Sequence, residues 1–180
     1  MKRLETNRLI LRRFKFEDIN NLYAYAKRDD VGPKAGWRPH ENKTETRKIL
    51  SGFIEKEEVY AIYHKADKKV IGSIGIHNTI IADLNNVNEI GFVLNPDYQK
   101  QGLMTEALIR IIDYCFLELK LDEVFTGHFL ENIPSKKIIK KFKFKPIKEI
   151  NYKSQDYGYK PAIIYKLTKL DYILNMEERK

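Results

Sequence analysis

The segment from Ile90 to Ala107 constrains the fold more than any other part of the chain. An apolar strand runs into the turn Asn95-Pro96-Asp97, and a helix follows from about Leu103. The first N–H groups of a helix have no internal acceptor and carry partial positive charge, so such a junction attracts an anion. Gly102 lets a ligand approach the backbone, and Lys100 adds a formal charge. The segment predicts an anion-binding cradle, with a plain strand–helix turn as the alternative.

The elements around this junction alternate between strand and helix periodicities. Strands are predicted over Thr6–Phe14, Val59–His64, Lys69–Thr79, Val87–Leu94, Glu123–Phe129 and Ala162–Thr168. Helices are predicted over Glu17–Lys27, Thr44–Glu57 with Thr44 as N-cap, Leu103–Lys120, and Pro134–Phe142 with Asn132 as N-cap; Val31–Asn42 is predicted to be a loop and Asp83–Asn86 a turn. This order predicts an α/β or α+β sheet with helices on both faces. We predict one domain over residues 1–170 and a polar tail over residues 171–180.

Composition narrows the class of protein. The chain has 180 residues, of which 43% are apolar and 32% charged, so it can bury a sizeable core. Its single cysteine, Cys115, is interpreted as a core thiol, which excludes a disulfide scaffold and a cysteine-based zinc cluster. The four histidines are far apart, and phosphate-loop and nucleophile-elbow motifs are absent, so no metal site or hydrolase is predicted. The apolar stretches are short and the opening residues lack a secretory segment, so we expect a cytoplasmic protein without a membrane partner.

Positive charge is concentrated towards the C-terminal end. Residues 131–180 hold 13 Lys+Arg against 6 Asp+Glu, whereas residues 1–130 hold 20 against 19. The excess peaks at Lys136, Lys137, Lys140, Lys141, Lys143, Lys145 and Lys148. This cluster indicates a polyanionic partner such as a phosphorylated cofactor, an acidic protein or nucleic acid, with a solvated helix face as the alternative. No aromatic stacking motif accompanies the lysines, which disfavours nucleic acid.

Three motifs, in order along the chain, resemble the GNAT N-acetyltransferase superfamily. Gln99 to Ala107 is similar to the family's acetyl-CoA pyrophosphate loop, except that Met104 stands where the pattern has Gly or Ala. Asn132-Ile133-Pro134-Ser135, followed by Lys141-Phe142-Lys143-Phe144, resembles the family's Asn-x-x-Ser helix ending in Gly-Phe, with Lys143 in place of Gly. The opening Thr6 to Arg12 resembles the ribosomal-protein alanine N-acetyltransferase (RimJ/RimL-like) branch.

The resemblance implies the GNAT acyl-CoA N-acyltransferase fold, a mixed sheet whose central strands, ending at Leu94 and Phe129, splay apart. It implies acetyl-CoA as cosubstrate, CoA as product, and a primary amine as acceptor, either a protein N-terminal α-amine or a small molecule. The implied cofactor contacts are main-chain groups of Phe92, Val93 and Leu94, the loop residues Gln99, Lys100, Gln101, Gly102, Leu103, Met104 and Thr105, and Asn132, Ser135, Lys136 and Lys137. The last two would lie near the adenosine 3′-phosphate, and Asn132 can serve as a helix cap as well.

The same resemblance assigns roles in the reaction, in which the amine attacks the thioester directly. A backbone N–H of Val93 or Leu94 would meet the oxyanion. Ser135 would protonate the leaving thiolate, with a capping role as the alternative and Tyr98, Tyr152 or solvent as other proton sources. Glu89 is the first candidate for the base, and its competitors are His128, Glu131 and a chain of waters. Glu106 is attributed to the helix dipole rather than to catalysis.

The acceptor pocket is expected between the first two helices, their loop and the last hairpin. In that loop Trp37, Arg38 and His40 are the predicted substrate-binding residues, with a local lid anchor as the alternative for Trp37. Tyr157, with Tyr152 and Tyr159, would form the opposite wall. A non-catalytic CoA-binding sensor and a nucleic-acid-binding module remain alternatives from other classes, and a homodimer is left open.

Overall fold

A mixed β-sheet organises the protein. The computed structural model describes residues 1–81 and 84–177, and within them eight strands form one sheet in the order β1-β2-β3-β4-β5-β6-β8-β7. The strands are β1 (Leu4–Glu5), β2 (Leu9–Arg13), β3 (Val59–His64), β4 (Lys69–Ile81), β5 (Leu84–Leu94), β6 (Glu123–Phe129), β7 (Lys145–Lys153) and β8 (Tyr159–Thr168). Strands β5 and β6 are parallel, and the other described neighbours are antiparallel.

Helices cover both faces of this sheet. They are α1 (Ile19–Ala26), α2 (Gly32–Ala35), α3 (Lys43–Lys56), α4 (Leu103–Asp113), α5 (Ile133–Lys141) and α6 (Lys169–Glu177). Buried residues of α1 and α3 pack with Ala61 and Val70 on one face, and buried residues of α4, α5 and α6 pack with Ile62 and Ile74 on the other. The predicted fold class is therefore confirmed. Within the described residues, no helix is long and apolar enough to cross a membrane.

The parallel strands β5 and β6 pair at one register position among the described residues, in the middle of β5 and near the start of β6. Their single register pair is Glu89 with Phe125, and the Thr126 hydroxyl adds a 2.8 Å hydrogen bond to the Ile90 carbonyl. Beyond these contacts no further pair joins β5 to β6 in the described part of the chain. The two strands therefore diverge towards Leu94 and Phe129, as the family resemblance implied, and leave a split in the sheet.

Several predicted boundaries needed correction. The bounds of β3 and β6 are as predicted, but the predicted loop over Val31–Asn42 contains α2, a short helix with Pro33 in its first turn. Helix α4 passes at Tyr114 into a π-helical turn, Tyr114–Glu118, so the α-helix predicted as far as Lys120 ends earlier. Of the predicted turn Asp83–Asn86, residues 84–86 belong to β5 and Asp83 lies outside the described residues.

The C-terminal region has more structure than its polar sequence indicates. Strand β7 was not predicted because nearly all of its side chains are exposed, as suits an edge strand, and no apolar alternation marks it. Residues 171–177 of the predicted polar tail form part of α6, where Tyr172 is buried against Phe116. Lys143 takes a positive φ of 57°, the left-handed conformation that the family's glycine at this place would adopt without strain.

The N-cap of helix α3 lies two residues before the predicted one. The Asn42 side chain accepts a 2.9 Å hydrogen bond from the Glu45 N–H, whereas Thr44 already lies inside the helix. Asparagine and threonine both serve as N-caps, so residue type alone does not separate the two positions.

Replacing Asn42 with alanine should lower the free energy of unfolding by about 1 kcal/mol, because an orphan helix N–H loses its acceptor. Thr44→Ala is the matched control and should change stability little, since Thr44 is exposed and caps nothing. Urea unfolding of both variants measures the difference. Equal losses in the two variants would contradict the assignment of the cap to Asn42.

Candidate active site

Two cavities open on the split between β5 and β6. The large cavity, about 720 Å³, lies on the side of α1 and α3, and the small cavity, about 540 Å³, lies beside the start of α4 and α5. Six residues line both: Lys34, Ala35, Phe92, Val93, Asn132 and Ser135. Because these shared residues stand at the split, the two cavities meet there.

Backbone alternation decides which main-chain groups of β5 face the split. The Asn95 N–H donates to the Ile71 carbonyl at 2.8 Å, so Asn95 faces β4. In a strand, successive residues point their N–H and C=O groups to opposite sides. Val93 therefore also faces β4, and a Cβ on Gly72 would lie 2.4 Å from its carbonyl oxygen. Phe92 and Leu94 present their main-chain groups to the split, which favours Leu94 over Val93 as the oxyanion donor.

The predicted anion cradle forms one wall of the small cavity. Gly102 is the N-cap of α4 with a φ of 76°, and it has no side chain to occupy the free N–H groups of the first turn. Lys100 also has a positive φ, of 61°, so the loop turns sharply on both sides of Gln101. Of the predicted loop residues, Gln99, Lys100, Gly102, Leu103, Met104 and Thr105 line the small cavity, and Gln101 does not.

Hydrogen bonds from the chain's opening motif hold this loop and the first turn of α4 in place. Arg8 donates from Nη1 to the Gln101 carbonyl at 2.9 Å and from Nε to Glu106 at 2.7 Å, and Thr6 donates to Glu106 at 2.5 Å. Burial alone would raise the pKa of Glu106, but these hydrogen bonds outweigh it and lower that pKa below its usual value. Glu106 thus ties the opening motif to α4, in addition to standing near the positive end of the helix dipole.

Two lysines one helical turn apart border the small cavity from α5. Lys137 and Lys141 line it, whereas the predicted Lys136 does not. Residues four apart lie on one face of a helix, so this spacing was the available signal for Lys141. Together with Lys100, they surround the cradle with positive charge.

Asn132 and Ser135 stand where the cavities meet. The Asn132 side chain accepts a 3.2 Å hydrogen bond from the Ser135 N–H, which confirms Asn132 as the helix cap. Its amide also donates to the Lys34 carbonyl at 2.9 Å and so links α5 to α2 across the split. Since Asn132 supplies the cap, the Ser135 hydroxyl is not needed for it. Tyr98, an alternative proton source, lines the small cavity, but its hydroxyl donates to Asp67.

The large cavity has a mainly apolar wall that includes two of the predicted substrate-binding residues. Trp37 and His40 line it with ring centroids 5.3 Å apart, and burial lowers the pKa of His40. Arg38 and Tyr157 do not line it. The Arg38 N–H donates to Asp156 at 2.9 Å, and Tyr157 lies under the Lys160 ammonium. Of the three tyrosines predicted for the opposite wall, Tyr152 alone lines the cavity, and Tyr159 is exposed.

Glu89 lines the large cavity, next to the point where the split begins. Burial raises the pKa of its carboxyl, and a 3.4 Å hydrogen bond from the Tyr152 hydroxyl offsets only part of the shift. The same burial raises the pKa of Tyr152 to about 12, so its hydroxyl stays protonated. A carboxylate whose pKa is raised towards neutrality is suited to accept a proton.

The two competitors for the base both have partners already, and of the two only His128 lines the large cavity. His128 is buried, with Nδ1 2.8 Å from the Phe129 carbonyl and Nε2 3.1 Å from the Tyr165 hydroxyl. A carbonyl only accepts, so Nδ1 carries the hydrogen, and Nε2 is left to accept from Tyr165. Glu131 is exposed and forms an ion pair with Lys160 away from the cavity wall.

Several polar residues that line the large cavity were not predicted from the sequence, among them His77, Glu58 and Tyr25. His77 on β4 lies opposite Glu89, with its Nδ1 3.4 Å from Glu58, and a Cβ on Gly75 would lie 2.4 Å from its Nε2. A glycine inside a predicted strand was the one available signal for this close approach. Tyr25 is 1% exposed, and its hydroxyl interacts with the Ser73 side chain but forms no hydrogen bond of good geometry among residues 1–81 and 84–177. Burial raises the pKa of that hydroxyl and keeps it protonated.

Comparison with known proteins found a matching family model and related sequences. Residues 8–145 match the model of the acetyltransferase (GNAT) domain. The N-acetyltransferase YnaD of Bacillus subtilis is 29% identical over 141 residues, which cover 77% of this chain and 79% of that protein.

Two solved structures share the fold. A GNAT-family acetyltransferase from Bacillus anthracis superposes with a TM-score of 0.82 at 20% identity, over 94% of this chain and 99% of its own. The ribosomal-protein-S5-alanine acetyltransferase from Vibrio fischeri superposes with a TM-score of 0.75 at 19% identity, over 96% and 99% of the two chains. At these identities the likeness concerns the fold alone.

Proposed function

The chain belongs to the GNAT acetyltransferase family, whose members use acetyl-CoA as cosubstrate, and we propose that it transfers the acetyl group to a protein N-terminal α-amine. The observation that carries the proposal is the pair of cavities that meet at the split. One has backbone N–H groups and lysines suited to a polyanion, and the other has an apolar wall and a carboxylate suited to an amine.

The residues of the small cavity fit CoA. The uncapped first turn of α4, the side-chain-free Gly102, and Lys100, Lys137 and Lys141 match a ligand that carries several phosphates. We propose that the main-chain groups of Phe92 and Leu94 hold the pantetheine arm, because they face the split and have no strand partner there within the described residues. Because CoA binding accounts for these lysines, a nucleic-acid partner is not needed to explain their charge.

The bound cosubstrate would supply an activated acetyl thioester. The chain's part is to bind and orient the amine, receive its proton, donate to the developing oxyanion and return a proton to the sulfur. We propose that Glu89 receives the proton, the Leu94 N–H donates to the oxyanion, and the Ser135 hydroxyl donates to the sulfur. Ser135 suits this role because it lines both cavities and is not occupied as a cap.

An α-amine is the proposed acceptor because it demands little of the base. Its pKa of about 8 lies well below the roughly 10.4 of a lysine side chain, so a carboxyl such as Glu89 can deprotonate it near neutral pH. The opening motif, which resembles the ribosomal-protein alanine acetyltransferase branch, supports assignment to that branch. A small-molecule amine is the alternative acceptor.

With acetyl-CoA, the purified protein should acetylate peptides with a free α-amine at a higher kcat/KM than polyamines or aminoglycosides. Mass spectrometry of the products locates the acetyl group on the N-terminus. Peptides with a blocked N-terminus and a free lysine are the control and should react poorly. Turnover confined to small amines would contradict the proposed acceptor, and CoA binding without turnover of any amine would favour a sensor.

Gly102→Glu should abolish CoA binding, because it places bulk and negative charge at the cradle. Asparagine tolerates a positive φ and carries no charge, so Gly102→Asn is the matched control and should retain part of the binding. CoA at a hundred times its Kd should stabilise the wild type by about 2.7 kcal/mol. A folded Gly102→Glu variant with an unchanged thermal shift would show that the cradle does not hold CoA.

Ser135→Ala should lower kcat by roughly a hundredfold and leave the Kd for acetyl-CoA and the melting temperature nearly unchanged. Asn132→Ala is the contrasting variant, and it should lose about 1 kcal/mol of stability with its cap. Stopped-flow kinetics and thermal unfolding on both proteins separate the two effects. If Ser135→Ala keeps its full kcat, the sulfur receives its proton from another group.

A further inference from the structure

Charged side chains of both signs line the large cavity. Glu89 and Glu58 supply carboxyl groups, and apolar side chains such as Leu22 and Phe53 form part of the wall. Exposed lysines lie where the cavity opens to solvent, which we call its mouth. An acceptor that matches these groups carries a positive amine at one end and negative charge farther along.

Three lysines at the mouth have no ion-pair partner in the part of the chain that the structure describes. Lys48 and Lys56 come from α3 and Lys153 from β7 on the opposite side, and all three line the cavity and are exposed. None of them forms an ion pair or a side-chain hydrogen bond within residues 1–81 and 84–177. Lysines elsewhere in the protein do pair, for example Lys65 with Glu5 and Lys166 with Glu123. The mouth therefore has positive charge that no described residue neutralises.

Helix α3 leaves a gap between two of these lysines. Gly52 lies four residues from both Lys48 and Lys56, on the same helix face, and the lysine Cα atoms are about 12 Å apart along the axis. A glycine inside a helix costs about 1 kcal/mol relative to alanine. A Cβ at Gly52 would meet nothing within 4 Å, so no packing inside the chain requires the glycine. The helix surface is therefore open at Gly52, and a ligand backbone can approach it closely there.

A polar group inside the cavity is also poorly satisfied. The buried Tyr25 hydroxyl interacts with the Ser73 side chain but forms no hydrogen bond of good geometry to any described residue, and both residues line the same cavity. A buried donor without an acceptor costs free energy unless a ligand or water supplies one. A carbonyl of a bound acceptor chain would satisfy it, which points to a peptide rather than to a simple alkylamine.

We propose that the acceptor is an acidic N-terminal peptide segment, which places its α-amine at Glu89 and passes over Gly52 between Lys48 and Lys56. Successive side chains of an extended peptide point to opposite sides, so adjacent carboxylates reach the two lysines in turn. This inference rests on the proposed function, since it names the class of peptide that the same site takes. It disfavours polyamines and aminoglycosides, which carry positive charge throughout.

The test compares three peptides that share an N-terminal alanine and differ only at positions 2–4, which are all Glu, all Gln or all Lys. We expect kcat/KM to fall in the order Glu, Gln, Lys, by about tenfold from Glu to Gln, because several exposed ion pairs add up to that size. The preference should reside in KM and shrink in 0.5 M salt, which screens exposed charges.

Charge reversal provides the decisive variant. Lys48→Glu/Lys56→Glu should invert the order of the Glu and Lys peptides and leave the Kd for acetyl-CoA unchanged. Lys43→Glu/Lys68→Glu is the matched control, with the same change in net charge at residues outside the cavity wall, and it should keep the wild-type order. A Cβ at Gly52 meets no other atom within 4 Å, so the Gly52→Leu variant should fold. Its side chain would obstruct the proposed path of the peptide and raise KM for all three peptides.

The outcomes separate this inference from the proposed function. No acetylation of any peptide or amine would overturn both. Acetylation of the three peptides at equal kcat/KM, a preference for the Lys peptide, or an unchanged order in Lys48→Glu/Lys56→Glu would overturn the acidic-peptide inference and leave α-amine acetylation intact.

Discussion

The parallel pairing of β5 with β6 at a single register is the constraint on which the site depends. Parallel strands ordinarily form an even ladder of hydrogen bonds. Here the ladder is limited to Glu89 and Phe125, with the Thr126 hydroxyl tying β6 to the Ile90 carbonyl. Past that point the main-chain groups of Phe92 and Leu94 face an opening. Cavities from both faces of the sheet reach the same place, so a ligand in one can react with a ligand in the other.

The rest of the structure holds the two sides of that opening in position. On one side, α4 packs its buried face on the sheet, and Arg8 and Glu106 fasten its first turn to the start of the chain. On the other side, Asn132 caps α5 and also binds the Lys34 carbonyl of α2. Since α2 and α5 lie on opposite faces of the sheet, this bond joins the layers directly over the split.

Much of this arrangement was predictable, and the errors have physical causes. The strand and helix periods gave β3 and β6 their correct bounds, and Gly102 was found because an N–H-rich turn needs a residue without a side chain. The helix cap moved from Thr44 to Asn42 because both residue types accept the same hydrogen bond. Strand β7 was missed because an exposed edge strand lacks the apolar alternation by which strands are found. Lys136 was named from the family resemblance, and the structure instead places Lys141, one turn after Lys137 on the same helix face, beside the small cavity.

The sequence by itself determined the family, the order of the elements and the loop that forms the cradle, because these depend on local period, turn chemistry and a contiguous motif. Only the tertiary structure decided which residues meet at the large cavity. His77 comes to lie opposite Glu89 through the register of β4 with β5, and Gly52 and the lysines beside it border the mouth through the rotation of α3. Tertiary packing also places Arg38 and Tyr157 outside the wall of the large cavity. Register and helix rotation are set by packing among residues distant in sequence, so no local pattern encodes them.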